Sequence, residues 1–263
     1  MTTTFLTYQR ISRDYAQTAE RLAERTETAR QIDEWRSTIT SVKTVDDFVD
    51  NPRLFRFAMT AFGLESQIFA KGLIRKVLNE GTEDPLAMAN RLTDNRFKAF
   101  AQAFTFNEGE RPSTSDPVAM ERIVNRFVVH KLETSVGEET PGARLALYFQ
   151  REAPKLTSWF QVLADRALSE VVRTVLRLPQ EAAGLNIDRY AAILEERLDL
   201  EDFQDTEKLD KFIKRFTVLF DLDNGPPQTF TPRAALAGAL DPQAAGFGLS
   251  ADLMLTLAQI RRQ

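Results

Sequence analysis

Residues 51–64 reappear in outline as residues 165–178, and this recurrence most restricts the folds open to the chain. Leu54 and Leu64 recur as Leu168 and Leu178, 114 positions on (168 − 54; 178 − 64). A second match, at a spacing of 116 (213 − 97), sets Phe97, Phe100 and Phe104 against Ile213, Phe216 and Phe220. Nearly everywhere the apolar residues return at intervals of three and four, while the alternation expected of strands is rare. The expected fold class is therefore all-α, a multi-helix two-lobed body of two weakly related halves. Two explanations of the recurrence stand side by side, because a duplicated unit produces it and amphipathic helices share such spacing by default.

Composition removes several classes of function. With 263 residues and 43% hydrophobic content, the chain can bury roughly three quarters of its unfolded surface without disulfides or metals. Its formal net charge is −4 with both signs interspersed, so no basic field exists to draw in nucleic acid. The absence of cysteine excludes thiolate nucleophiles and cysteine-type zinc sites. A single histidine, His130, excludes a two-histidine metal site. The first residues lack the basic stretch and apolar core of a secretory signal, and no window approaches 18 uninterrupted apolar residues. The expectation is a cytoplasmic protein with no membrane insertion.

Three regions are expected: an N-terminal helical arm (1–40), a helical body (41–222, with halves at about 41–110 and 117–222), and a Pro/Gly-rich tail (223–263) with a short terminal helix. The arm is thinly apolar and marginal as an isolated helix. In the body, Thr44 begins one helix, and Asp50 or Asn51 caps the next, with Pro52 at its first position, where a missing N–H costs nothing. Helices are expected over residues 66–79, from Asp84-Pro85 to Leu92, around residues 97–106, over 117–135 and over 143–151. One or two more are expected in 155–178, then 187–198 and 207–220. Residues 107–117 and 137–142 read as exposed loops.

Candidate chemistry is sparse. His130, with Glu133 and Asp165 elsewhere, has the residue types for proton exchange, but an amphipathic helix edge accommodates the histidine equally. Asp46-Asp47 and Glu201-Asp202 with Asp205 are paired carboxylates in positions where helix capping accounts for them. No phosphate-binding glycine loop, calcium loop or nucleophile elbow is present. Phe55, Phe57, Phe62, Phe69, Phe97, Phe100, Phe104 and Phe106 can fill a core or line an apolar pocket, and core packing is the simpler reading. No cofactor and no metal is called for. The ends differ, because Phe5, Leu6, Tyr8, Phe230, Phe247, Leu253 and Leu257 are apolar residues in segments too loose to bury them alone. Either they dock on the body or they fold onto another protein.

The runs Ser41-Val-Lys-Thr-Val-Asp-Asp-Phe48, Ala61-Phe-Gly-Leu64, Leu145-Ala-Leu-Tyr-Phe149 and Leu163-Ala-Asp-Arg-Ala-Leu168, with Val171-Val172 and Leu178-Pro179, resemble an uncharacterised bacterial family. It is a domain-of-unknown-function family of alphaproteobacteria, often encoded near flagellar genes. The resemblance covers roughly residues 30–225. It implies a helical fold and carries over no catalytic residue or cofactor. Both lines lead to a non-enzymatic protein-interaction module, a structural, assembly or regulatory component associated with the flagellum. The alternative is an enzyme or small-molecule binder using Asn125, Arg144, Tyr148 and Asp165 in a cleft between the halves, since charges among apolar helices need partners.

Overall fold

The computed structural model describes residues 3–106, 112–179, 181, 184 and 186–224. Among them are fourteen α-helices joined by short 3-10 turns, and no strand. In chain order these are α1 (Thr4–Arg13), α2 (Tyr15–Ala23), α3 (Thr26–Thr38), α4 (Val45–Asp50), α5 (Pro52–Ala61), α6 (Lys71–Glu80) and α7 (Met88–Arg91). They continue with α8 (Asn95–Ala103), α9 (Pro117–Glu139), α10 (Pro141–Glu152), α11 (Trp159–Ala164), α12 (Arg166–Val175), α13 (Ile187–Arg197) and α14 (Thr206–Asn224). One compact unit runs from Met1 to Asp223.

The unit is built around two apolar clusters. The first collects residues from Ile32 to Val128, and the second takes Tyr8, Ile11 and Leu22 with residues from Leu132 to Phe216. Helix α9 serves both: its 23 residues extend about 34 Å, burying Met120, Ile123, Val124 and Phe127 in the first cluster and Leu132 and Val136 in the second. In the first core, Trp35, Phe57 and Phe127 stack face to face, with centroids 4.6 and 3.9 Å apart, joining α3, α5 and α9. In the second, Phe149 lies 5.2 Å from Phe203 and 5.3 Å from Phe212.

The two halves repeat one succession of elements at a constant offset of 114. Helix α3, the 3-10 turn Ile39–Ser41, α4 and α5 correspond to α10, the 3-10 turn Ala153–Lys155, α11 and α12. Trp35 matches Phe149, Ile39 matches Ala153, Phe48 matches Val162 and Leu54 matches Leu168, all buried. The caps match as well. Asn51 accepts hydrogen bonds from the Arg53 and Leu54 N–H groups, and Asp165 accepts them from Ala167 and Leu168. Helical periodicity does not set turn types or the lengths between helices, so α3–α5 and α10–α12 share one supersecondary arrangement. The aromatic match at 116 is looser: α8 has 9 residues and α14 has 19, and only the buried pairs Phe97/Ile213 and Phe100/Phe216 correspond.

Several expected elements differ for local reasons. Residues 137–142 are no exposed loop, because α9 runs on to Glu139 and Thr140 alone separates it from α10. Gly137 is helical, and the stem of Arg144 fills the place of its missing Cβ, at 2.5 Å from that position. Asp165 breaks residues 155–178 into α11 and α12 by capping the second. The stretch after Asp84 stays irregular to Ala87, where the Asn90 amide holds the loop by donating to the Thr82 and Asp84 carbonyls. Residues 65–67 form a 3-10 turn ahead of α6, which leaves Phe69 93% exposed.

The N-terminal residues pack on the body. Tyr8, Ile11 and Leu22 belong to the second core, and the Thr4 N–H donates to Asp221 Oδ1 of α14 at 3.1 Å. Of the apolar residues singled out at this end, Tyr8 is 1% exposed, Phe5 is half-buried and Leu6 is 54% exposed. Phe230, Phe247, Leu253 and Leu257 lie outside the described residues.

Candidate functional site: a groove along α3, α5 and α9

A groove of about 1160 Å³ opens along α3, α5 and the middle of α9, with Leu22 of α2 at one side. Its floor is apolar, formed by Leu22, Trp35, Leu54, Phe57 and Phe127, all buried. The helices place these residues through their periodicity: Leu54 and Phe57 sit one turn apart on α5, and Phe127 meets Phe57 from α9. The rim carries both signs in equal number, with Arg25, Arg30, Arg53, Arg56 and Lys131 against Glu27, Asp33, Glu34, Glu65 and Glu138. Part of this charge is paired internally. Arg53 bonds Glu34, and Lys131 Nζ lies 2.8 Å from Gln31 Oε1 and 3.8 Å from Glu27. Arg30 and Arg56 are exposed and make no ion pair among the described residues.

Three buried polar atoms of groove-lining residues have no hydrogen-bond partner: Trp35 Nε1, Thr134 Oγ1 and His130 Nδ1. His130 Nδ1 lies 3.2 Å from Glu65 Oε1, close enough for an ion pair when the ring is protonated but poorly aligned for a hydrogen bond. The imidazole is wedged in place, since a Cβ on Gly63 would come within 2.9 Å of Nε2. Partial burial pushes the Glu65 carboxyl up, but His130 outweighs it and holds the group below the ordinary carboxylate range.

The other singled-out residues fall elsewhere. His130 pairs with Glu65 rather than with Glu133 or Asp165. Asp47 closes a capping box with Thr44, Asp46 pairs with Arg75, Asp202 pairs with Lys208, and Asp205 caps α14 through the Glu207 and Lys208 N–H groups. Of the four residues proposed for a cleft, none lines the groove. Tyr148 donates to Asp165 Oδ2 at 2.5 Å, Arg144 packs on Gly137, and Asn125 is exposed on α9. Phe55, Phe57, Phe62, Phe97, Phe100 and Phe104 fill the first core, and Phe106 packs against it.

The pairing of Glu133 with Arg151 was not anticipated from the sequence. Glu133 is 2% exposed and accepts two hydrogen bonds from the Arg151 guanidinium, at 2.8 and 3.0 Å. Burial works against the charged Arg151 guanidinium, yet Glu133 raises its basicity above the ordinary value. The available signal was an acidic residue inside the apolar stripe Leu132–Val136 of α9, where a buried carboxylate requires a cation. Among the described residues no three acidic, histidine or cysteine side chains gather as metal ligands would, and no helix is long and apolar enough to cross a membrane.

Comparison with known proteins places this architecture. The fold is similar to the X-ray crystal structure of a protein from Agrobacterium tumefaciens, with 37% sequence identity and a TM-score of 0.77 over 84% of this chain and 94% of that one. No functionally curated protein matches the chain. The model of a family described as "Protein of unknown function (DUF1217)" matches residues 61–209. With that span and that identity, the chain belongs to the DUF1217 family.

Proposed function

We propose that this protein is a non-enzymatic, cytoplasmic helical module that binds another protein through the groove along α3, α5 and α9, as an assembly or regulatory component of the bacterial flagellum. The observation that carries the reading is the groove itself, an apolar floor of Leu22, Trp35, Leu54, Phe57 and Phe127 inside a rim that carries both charges. A polypeptide segment supplies apolar side chains for such a floor and charged ones for such a rim. The balanced rim points the same way, because it offers a polyanion no net attraction and suits a segment bearing both signs. The flagellar assignment rests on the family resemblance through its gene neighbourhood, an association rather than a mechanism.

The test is capture from the native cell lysate by full-length protein and by an Arg30→Glu/Arg56→Glu variant, quantified by mass spectrometry. Flagellar components are expected on the wild-type bait and depleted at least about tenfold on the variant, a loss of about 1.4 kcal/mol or more. Equal retention by both baits, or retention of no flagellar component, overturns the reading.

A further inference from the structure

We propose that a second groove, beside α11 and α13, docks a basic segment of another protein in which Lys or Arg side chains flank an apolar one. This groove shares no residue with the one along α3, α5 and α9.

Its volume is about 830 Å³, enclosed by the start of α11, one face of α13 and the 3-10 turn Leu200–Phe203. Along α13 the lining positions are Asp188, Ala191, Ala192 and Glu195, the i, i+3, i+4, i+7 spacing of a single helix face. The two alanines keep the trough open where larger side chains would fill it. Trp159 and Ala191 are buried at its floor, Leu198 and Leu200 are half-buried beside them, and the Phe160 ring stands 47% exposed.

Charge decides what such a trough takes. Its lining holds five carboxylates, on Asp188, Glu195, Glu196, Asp199 and Asp202, against one cation, Arg197, a balance of −4 (1 − 5). Pairing does not remove this charge, because Asp202 alone of the five has an ion-pair partner among the described residues, Lys208 at 2.5 Å. Elsewhere exposed carboxylates sit against guanidinium groups, as Asp46 and Asp50 do on Arg75 and Glu121 does on Arg36. Two of the unpaired carboxylates are also placed against helix stability. Glu195 and Glu196 lie in the last turn of α13, where the negative end of the helix dipole disfavours further negative charge. A cationic partner relieves that repulsion on binding.

The carboxylates are strung along the groove rather than gathered at one point, since among the described residues no three acidic side chains converge as metal ligands would. Spread in this way over an apolar floor, they fit several cations carried on one polypeptide, with an apolar side chain between them. A second copy of this chain carries the same net charge of −4 and is repelled at long range, so the occupant is a different, basic protein.

The probe is a fluorescein-labelled peptide, Lys-Arg-Lys-Phe-Leu-Lys-Arg-Lys, titrated into the full-length protein and followed by fluorescence anisotropy. Saturable binding is expected, weakening at least about tenfold as salt rises from about 0.05 to about 0.5 M. The Glu195→Lys/Glu196→Lys protein should bind at least about tenfold more weakly, with a melting temperature no lower than wild type because lysine suits a helix C-terminus. The same charge change on α2, Glu20→Lys/Glu24→Lys, lines neither groove and should leave affinity within about twofold. A peptide with Ser in place of Phe should bind at least about tenfold more weakly, because the floor then loses its apolar partner. Location is read from the two tryptophans, one in each groove: the peptide should move the indole N–H resonance of Trp159 and leave that of Trp35 in place. Movement of Trp35 alone would put the peptide in the first groove and overturn this proposal without touching the function proposed for that groove. Absence of saturable binding, equal binding by the Glu195→Lys/Glu196→Lys protein, equal weakening by the α2 variant, or equal binding of the Ser peptide would each overturn it as well.

Discussion

Gly63 and Arg177 occupy the same point in two copies of one helix-ending turn, at φ 67° and φ 53°. After α5, the Gly63 N–H bonds the Thr60 carbonyl and the Leu64 N–H reaches back to Met59; after α12, Arg177 bonds Thr174 and Leu178 reaches back to Arg173. Both are Schellman caps, in which a left-handed residue lets the chain return over the last helical turn. Among the described residues Arg177 is the one non-glycine with positive φ.

Arg177→Gly is therefore expected to stabilise the protein. Left-handed backbone costs a non-glycine residue about 1 kcal/mol, and the exposed Arg177–Asp223 ion pair lost in exchange contributes less. The melting temperature should rise by about 1–3 °C. Gly63→Ala should do the opposite and cost more than about 1 kcal/mol, since its Cβ would also press within 2.9 Å of His130 Nε2. Thermal unfolding of both variants checks the pair; equal effects would show that the two turns are not equivalent.

Removing Arg151 should be costly because Glu133 is then buried alone, whereas Arg151 without Glu133 still has Glu152. Arg151→Ala is expected to lose about 3 kcal/mol, read as a lower urea midpoint at unchanged slope. The double variant Glu133→Leu/Arg151→Met should recover most of that loss, since no uncompensated charge remains.

All four tyrosines should resist alkaline titration. Burial pushes the Tyr8 hydroxyl up to about 12, with the charge of Asp210 adding to it. Burial likewise raises Tyr15 beside Glu133, Tyr148 beside Asp165, and Tyr190. The folded protein then keeps protons that the unfolded chain loses above pH 10, so their contribution is intact below pH 10 and stability falls as pH rises beyond it. Tyrosinate absorbance should appear together with loss of helical circular dichroism. A tyrosine titrating near 10 with the fold intact would contradict the buried assignments.

Phe69→Ser should leave stability within about 0.5 kcal/mol, because the ring makes no core contact. Phe57→Ala should cost about 3–5 kcal/mol, because that ring is stacked between Trp35 and Phe127. Denaturant unfolding separates the two phenylalanines that sequence pattern alone treats alike.

What was legible in the sequence came from local physics. Helical class, the Thr44 cap, a cap at Asp50 or Asn51 that the structure assigns to Asn51, and the apolar stripes follow from residue spacing and capping chemistry within a few positions. The spacing of 114 was visible too, but its meaning was not, because amphipathic helices imitate a repeat; the matching turns, caps and buried pairs decide it. The groove was not legible, since its floor draws on residues from Leu22 to Phe127 whose side chains meet only when α9 lies across α5. Glu133 and Arg151 lie 18 positions apart, and nothing local marks them as partners.

By itself the sequence determined an all-helical chain without the usual reactive residues, because helix formation and residue chemistry are short-range properties. Only the tertiary structure decided that the first helix packs into the second core, that α9 serves both cores, and that charges of both signs rim a groove with an apolar floor. Those outcomes depend on which amphipathic faces cover one another, a choice made by packing among distant segments that no local pattern encodes.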